Sequence, residues 1–132
     1  MQPTSSQVSP DLLRFHEALQ RGQLMLPKCQ TCGDLFYPPK AQCPRCGGSA
    51  LEWARCSGKG RVYSYMVNYR PAGALPGEAW EVMAVVELQE GPRILAPVVG
   101  LKDASAVQVD MAVEAALERT EGQEATLRFR PV

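Results

Sequence analysis

At 132 residues the chain has room for one ordinary domain, or for a small module beside a compact one. Fourteen Lys+Arg balance fourteen Asp+Glu, and hydrophobic residues make up 45%, enough for a real core. Five cysteines is an odd number, which argues against a disulfide framework.

The opening stretch MQPTSSQVSP has neither the charged n-region nor the apolar h-region of a secretory signal. No apolar run approaches the roughly 18 residues of a membrane span. A reducing cytoplasm is therefore the expected setting, with thiols free to bind metal.

Ser9 and Pro10 read as N-cap and first helical position, with Asp11 adding a negative charge to the first turn. Leu12, Phe15 and Leu19 then recur with helical period, Leu13 and Ala18 widen the stripe, and Gly22 is the natural stop. This short amphipathic helix must dock on its own domain or on a partner. His16, the single histidine, has no nucleophile or carboxylate constellation around it and reads as a surface or packing residue.

Next come two Cys-x-x-Cys pairs, Cys29/Cys32 and Cys43/Cys46, with ten residues between them. Each such turn aims two thiolates at one point, and two turns complete the tetrahedron that Zn²⁺ takes at about 2.3 Å per sulfur. Gly33 and Gly47 follow the second cysteine of each pair, where positive φ lets backbone N–H groups turn toward sulfur. A redox role for "CPRC" is disfavoured, because GGSA follows instead of a helix. Iron remains chemically open. Four thiolates leave no open position for catalysis, so the expectation is one structural Zn²⁺ per chain, replacing a core that so short a ribbon cannot bury. Cys56 is left over and reads as a small buried hydrophobe.

Strands follow: 61–70, 79–88, a run from Ile94 after the turn at 91–93, Met111–Glu118, a turn at 121–123, and a last run from Ala125 to Arg130. Five short strands suit a small closed barrel, an OB-fold or an SH3-like one. SGKGR (57–61) lacks a P-loop pattern and reads as a flexible entry to the barrel. From residue 57 onward eight basic residues face ten acidic ones, so the basic groove that nucleic acid requires is missing. By alternation Tyr63, Tyr65 and Tyr69 share one face of the first strand, and barrel interior or protein interface is preferred over a stacking platform. No catalytic set can be assembled.

The order of these features resembles the acyl-CoA-associated family that joins a rubredoxin-like zinc ribbon to a C-terminal OB-fold. The likeness rests on RGQLMLPKCQTCG, YPP (37–39), CPRCGG, SGKGRVYSY, VVELQEGPR and FRP (129–131). Asp110 departs from it, standing where the family tends to have glycine in a turn. The resemblance implies a mainly β protein: tail and helix at 1–26, zinc ribbon at 27–55 and a five-stranded OB-fold barrel at 56–132. It further implies a non-catalytic accessory subunit in a hetero-oligomer with a larger thiolase-like or aldolase-like enzyme, which itself binds most of the acyl-CoA thioester. Such a subunit would stabilise the complex and help shape the acyl-CoA site. A nucleic-acid module and a stand-alone acyl-CoA or lipid binder are the alternatives. The partner surface is expected at Leu12, Phe15 and Leu19 of the helix, and at Phe36 and Tyr37 on the ribbon tip. The rival placement folds Phe36 and Tyr37 back onto the barrel.

Overall fold

The computed structural model describes residues 9–69, 79–117 and 124–132. These fall into two compact units, the first built from residues 9–57 with 117 and 124–126, the second from the described part of 58–116 with 127–132. No described helix is long and apolar enough to cross a membrane.

In the first unit, helix α1 (Pro10–Gln20) is capped as its sequence predicts: the Ser9 hydroxyl accepts from the Leu12 N–H at 3.1 Å. Phe15, Ala18 and Leu19 are buried, so most of the apolar stripe docks within its own chain, against strand β1 (Met25–Cys29). Strand β1 forms an antiparallel hairpin with β2 (Leu51–Arg55), and the residues between carry the cysteine turns.

Gln20 holds the far segment. Its amide donates to the Ala125 carbonyl at 2.9 Å and accepts from the Ala125 N–H at 2.8 Å. Both backbone groups of Ala125 are thus occupied by a side chain. This explains why the strand predicted from Ala125 begins only at Arg128.

The second unit is a closed five-stranded barrel of β3 (Lys59–Tyr69), β4 (Trp80–Leu88), β5 (Arg93–Val98), β6 (Ala112–Ala116) and β7 (Arg128–Pro131). Its strand order is β3-β4-β5-β7-β6, with β5 and β7 parallel and β6 closing onto β3. That is OB-fold connectivity, which decides between the two barrel types. Val62, Val82, Val86, Ile94, Val98, Val113 and Phe129 fill the interior, following the period-2 alternation that pleating imposes.

Three local features depart from the sequence reading. The entry to the barrel is not a flexible tether, because Lys59 and Gly60 are already strand. Gly60 is there because a Cβ would stand 2.6 Å from the Glu87 carbonyl oxygen. A bulge between Val62 and Ser64 makes Tyr63 the extra residue, so Tyr63 does not share a face with Tyr65 and Tyr69. The Arg93 guanidinium lies over its ring, 3.8 Å from the centroid. Tyr65 and Tyr69 pair with Ala84 and Trp80 on the inward row, yet they are 42% and 69% exposed. The interior placement fails for them because β6 pairs with β3 only as far as Arg61, and among the described residues no strand closes over the rest.

Asp110, at the position where glycine was expected, has φ 69°. That left-handed conformation strains any residue with a Cβ, aspartate less than most. Among the described residues its side chain gains only an exposed ion pair with Arg61 at 3.5 Å, which is worth little. Asp110→Gly is therefore expected to stabilise the barrel by about 0.5–1 kcal/mol, read as a rise in the thermal midpoint. A lower midpoint would show the ion pair to matter more than the strain.

Candidate metal centre

The two cysteine turns are built alike. In the first, the Cys29 N–H donates to the Asp34 carbonyl and the Gly33 N–H to the Cys29 carbonyl, both at 2.8 Å. In the second, the Cys43 N–H donates to the Gly48 carbonyl and the Gly47 N–H to the Cys43 carbonyl, again both at 2.8 Å. Gly33 and Gly47 have φ 80° and 76°, the left-handed geometry that closes each turn and that glycine enters without strain. This bends backbone donors onto sulfur: the Cys32 N–H meets Cys29 Sγ at 3.5 Å and the Arg45 N–H meets Cys43 Sγ at 3.4 Å.

The four Sγ atoms lie within 4.8 Å of one another. Cys29–Cys46 and Cys32–Cys43 are each 3.5 Å apart, and all the cysteines are unbridged. A tetrahedron with arms of about 2.3 Å has edges of about 3.8 Å, so the set fits one thiophilic ion. The thiols already shift one another's protonation through their mutual hydrogen bonds. The Cys32 N–H, above all, helps push Cys29 down to about 6. For Cys32 the Asp34 N–H acts downward, but burial and the Cys43, Cys29 and Cys46 sulfurs together push it up to about 12. Four adjacent thiolates repel one another, and a dication at their centre removes that conflict. The arrangement offers one ion four sulfur ligands from the protein, which would suit holding the fold and would leave no coordination place for a reacting water.

Cys29 and Cys43 are buried while Cys32 and Cys46 reach the surface. The buried pair forms a small core with Phe36 and, at its margin, Leu51.

The five residues named for a partner surface are only partly available. Phe15 is 6%, Leu19 3% and Phe36 5% exposed. Phe15 and Leu19 are covered because α1 packs on its own unit, and Phe36 because it forms the floor of the cysteine cluster. Tyr37 does not extend as a free tip. Its ring packs on Phe15 with centroids 5.7 Å apart, which leaves it half-buried and raises its phenol pKa by burial. Leu12 remains accessible, at 44%.

His16 is at the surface of the same unit, 2.8 Å from Glu124 Oε2. Cys56 is buried, as a small hydrophobe would be. The reading from residues missed the hairpin β1/β2 that carries the cysteine turns. Alternation at Leu24/Leu26 and Leu51/Trp53 was its signal.

Comparison with known proteins agrees with this architecture. Residues 16–52 match the profile of the ChsH2 rubredoxin-like zinc ribbon domain, and residues 53–118 that of the ChsH2 C-terminal OB-fold domain. A DUF35 domain-containing scaffold protein of Methanothermobacter thermautotrophicus is 34% identical over 113 residues, covering 83% of this chain and 84% of that one. A probable enoyl-CoA hydratase alpha subunit of Thermomonospora curvata is 35% identical over 97 residues, and the match spans 71% of this chain but only 29% of that longer protein. Among solved structures, a chain of an Ltp2-ChsH2(DUF35) aldolase superposes with TM-score 0.82 at 30% identity, covering 98% of both chains. Together the matched domains, their order and the coverage show that this chain belongs to the ChsH2-type DUF35 family, a rubredoxin-like zinc ribbon followed by an OB-fold.

Proposed function

We propose that the chain is a non-catalytic accessory subunit of an acyl-CoA-processing enzyme, and that it carries one structural Zn²⁺ on Cys29, Cys32, Cys43 and Cys46. The observation that carries the role is the superposition, over 98% of both chains, on a component of an Ltp2-ChsH2(DUF35) aldolase. Relatives named as scaffold proteins and as an enoyl-CoA hydratase alpha subunit support the same reading. In this reading the larger thiolase-like or aldolase-like subunit supplies the reacting groups, and this chain stabilises it and helps shape the acyl-CoA site. Zinc is favoured over iron because a closed four-thiolate site with no redox task suits a d¹⁰ ion.

The chain, tagged in its native host, is expected to co-purify with a larger acyl-CoA enzyme subunit, identified by mass spectrometry. Recovery with no such subunit would count against the assignment.

The partner contact is proposed to include the accessible members of the helix and ribbon set, Leu12 and Tyr37. Leu12→Ala with Tyr37→Ala is expected to weaken the complex by about 1–2 kcal/mol while metal content is unchanged. Phe36 is excluded from that test because it underlies the cysteines. An unaltered complex would move the contact elsewhere.

The exposed tyrosines of β3 raise the nucleic-acid reading again, but the charge balance from residue 57 onward opposes it. Single-stranded DNA is expected to bind no tighter than about 1 µM at physiological salt. Fluorescence anisotropy checks this, and tighter binding that falls steeply with salt would contradict it.

A further inference from the structure

Strand β3 closes the barrel only with its first residues. Its last pair with β6 is Arg61–Ala112, and Val62 makes the final backbone bonds on that side, to Met111 and Asp110. From Ser64 to Tyr69 the strand is paired with β4 alone among the described residues. Among the described residues, one row of its backbone N–H and C=O groups thus has no ladder partner.

Natural edges of this kind are blunted by charge, by proline or by bulges. The stretch YSYMVNY, Tyr63–Tyr69, contains no charge, no proline and no glycine. Its residues favour strand, and its bulge lies at the start, between Val62 and Ser64, where it does not break the remainder. Tyr65, Met66 and Tyr69 are 42%, 58% and 69% exposed.

We propose that this edge pairs antiparallel with the same edge of a second copy of the chain, about a two-fold axis at Val67. A neutral edge meets its own copy without like-charge repulsion, and a two-fold contact is self-complementary and closed, so it uses up the edge without growing a filament. The register follows from the side chains. With Val67 on the axis, Tyr65 of each copy stands directly opposite Tyr69 of the other on one face, and Met66 opposite Asn68 on the other face. Facing aromatic pairs are among the favourable cross-strand contacts. Moving the axis to Met66 sets Tyr69 opposite Tyr63, which the bulge displaces and Arg93 covers. A dimer held by one short ladder depends on concentration. The pairing is independent of which enzyme the chain serves.

Sedimentation velocity on the full chain over a concentration series is expected to show reversible monomer–dimer exchange. Tyr69→Lys, at an exposed position, sets an ammonium group opposite Tyr65 twice per dimer and is expected to weaken association about tenfold. Adding Tyr65→Glu to that variant restores the dimer, because the new carboxylate of one copy then faces the new ammonium of the other. Within one copy the two positions are about 13 Å apart along the strand, too far to pair. Hydrogen exchange gives a second readout without substitutions: alternate amides between 64 and 69 slow as concentration rises, which decides the matter where a variant fails to fold. A chain that stays monomeric, a dimer indifferent to Tyr69→Lys, or a loss not regained with Tyr65→Glu overturns the proposal. Slowing of these amides only when an acyl-CoA enzyme subunit is added also overturns it, and assigns the edge to that subunit.

Discussion

Cys43→Ser is expected to release the metal and unfold the cysteine ribbon of the first unit, leaving protein that is insoluble or lacks fixed tertiary structure there. Cys43 is one of three residues, with Cys29 and Phe36, that make up the buried cluster beneath the ribbon, and only Leu51 adds to it from the margin. So small a cluster supplies a few kcal/mol at best, whereas a structural zinc site supplies about 10–16 kcal/mol in small metal-folded peptides. Binding energy is therefore folding energy for this part of the chain. Serine keeps the shape of the side chain but is a poor ligand for zinc, and its hydroxyl is left buried where a thiolate would be satisfied by the ion beside the Arg45 N–H. Cys32→Ser, at the exposed edge of the cluster, is expected to lower metal affinity with less damage to packing. Elemental analysis together with near-ultraviolet circular dichroism checks both. Soluble, folded Cys43→Ser protein with a full complement of metal would refute the structural role of the site.

Gly60→Ala is expected to be the most damaging single substitution in the barrel for so small a change. Gly60 pairs with Leu88 on β4 and with Val113 on β6, so it sits where the barrel closes. An added Cβ meets the Glu87 carbonyl oxygen at 2.6 Å and Val86 Cγ1 at 2.9 Å. The first contact is with backbone that belongs to the ladder, so relief requires moving β4 and not merely turning a side chain. Overpacking of this kind costs about 2–3 kcal/mol. For a unit of this size that lowers the thermal midpoint by roughly 10–20 °C. An unchanged midpoint would mean that the closure is looser than these contacts imply.

The parts readable from sequence were those in which one physical rule acts alone. The cysteine turns are such a case, because ligand spacing and the two following glycines state the geometry locally. The helix is another, with Ser9, Pro10 and a 3.6-residue stripe all agreeing. Strand β4 is an unbroken run of β-favouring residues in which Val82, Ala84, Val86 and Leu88 are buried and the alternate positions half-buried.

The failures arose where two rules compete. Strand β1 contains Pro27, which argues against a strand, yet Pro27 is paired opposite Trp53 at the edge of a two-stranded hairpin where one missing donor is tolerated. One extra residue at the bulge moved Tyr63 off the face it shares by simple counting. Gln20 shortened β7 from more than a hundred residues away, a contact that no local pattern announces. Phe36 and Phe15 looked like a surface because each was weighed within a small module, whereas the cysteine cluster and Tyr37 cover them.

The accessory role is tested most directly by turnover of the larger acyl-CoA enzyme subunit, assayed with and without this chain at equal enzyme concentration. The account predicts that the metal-loaded chain alone turns over no acyl-CoA thioester, that the larger subunit alone is inactive or insoluble, and that mixing or co-expressing the two restores activity. Full activity of the larger subunit without this chain, or turnover by this chain alone, would contradict it.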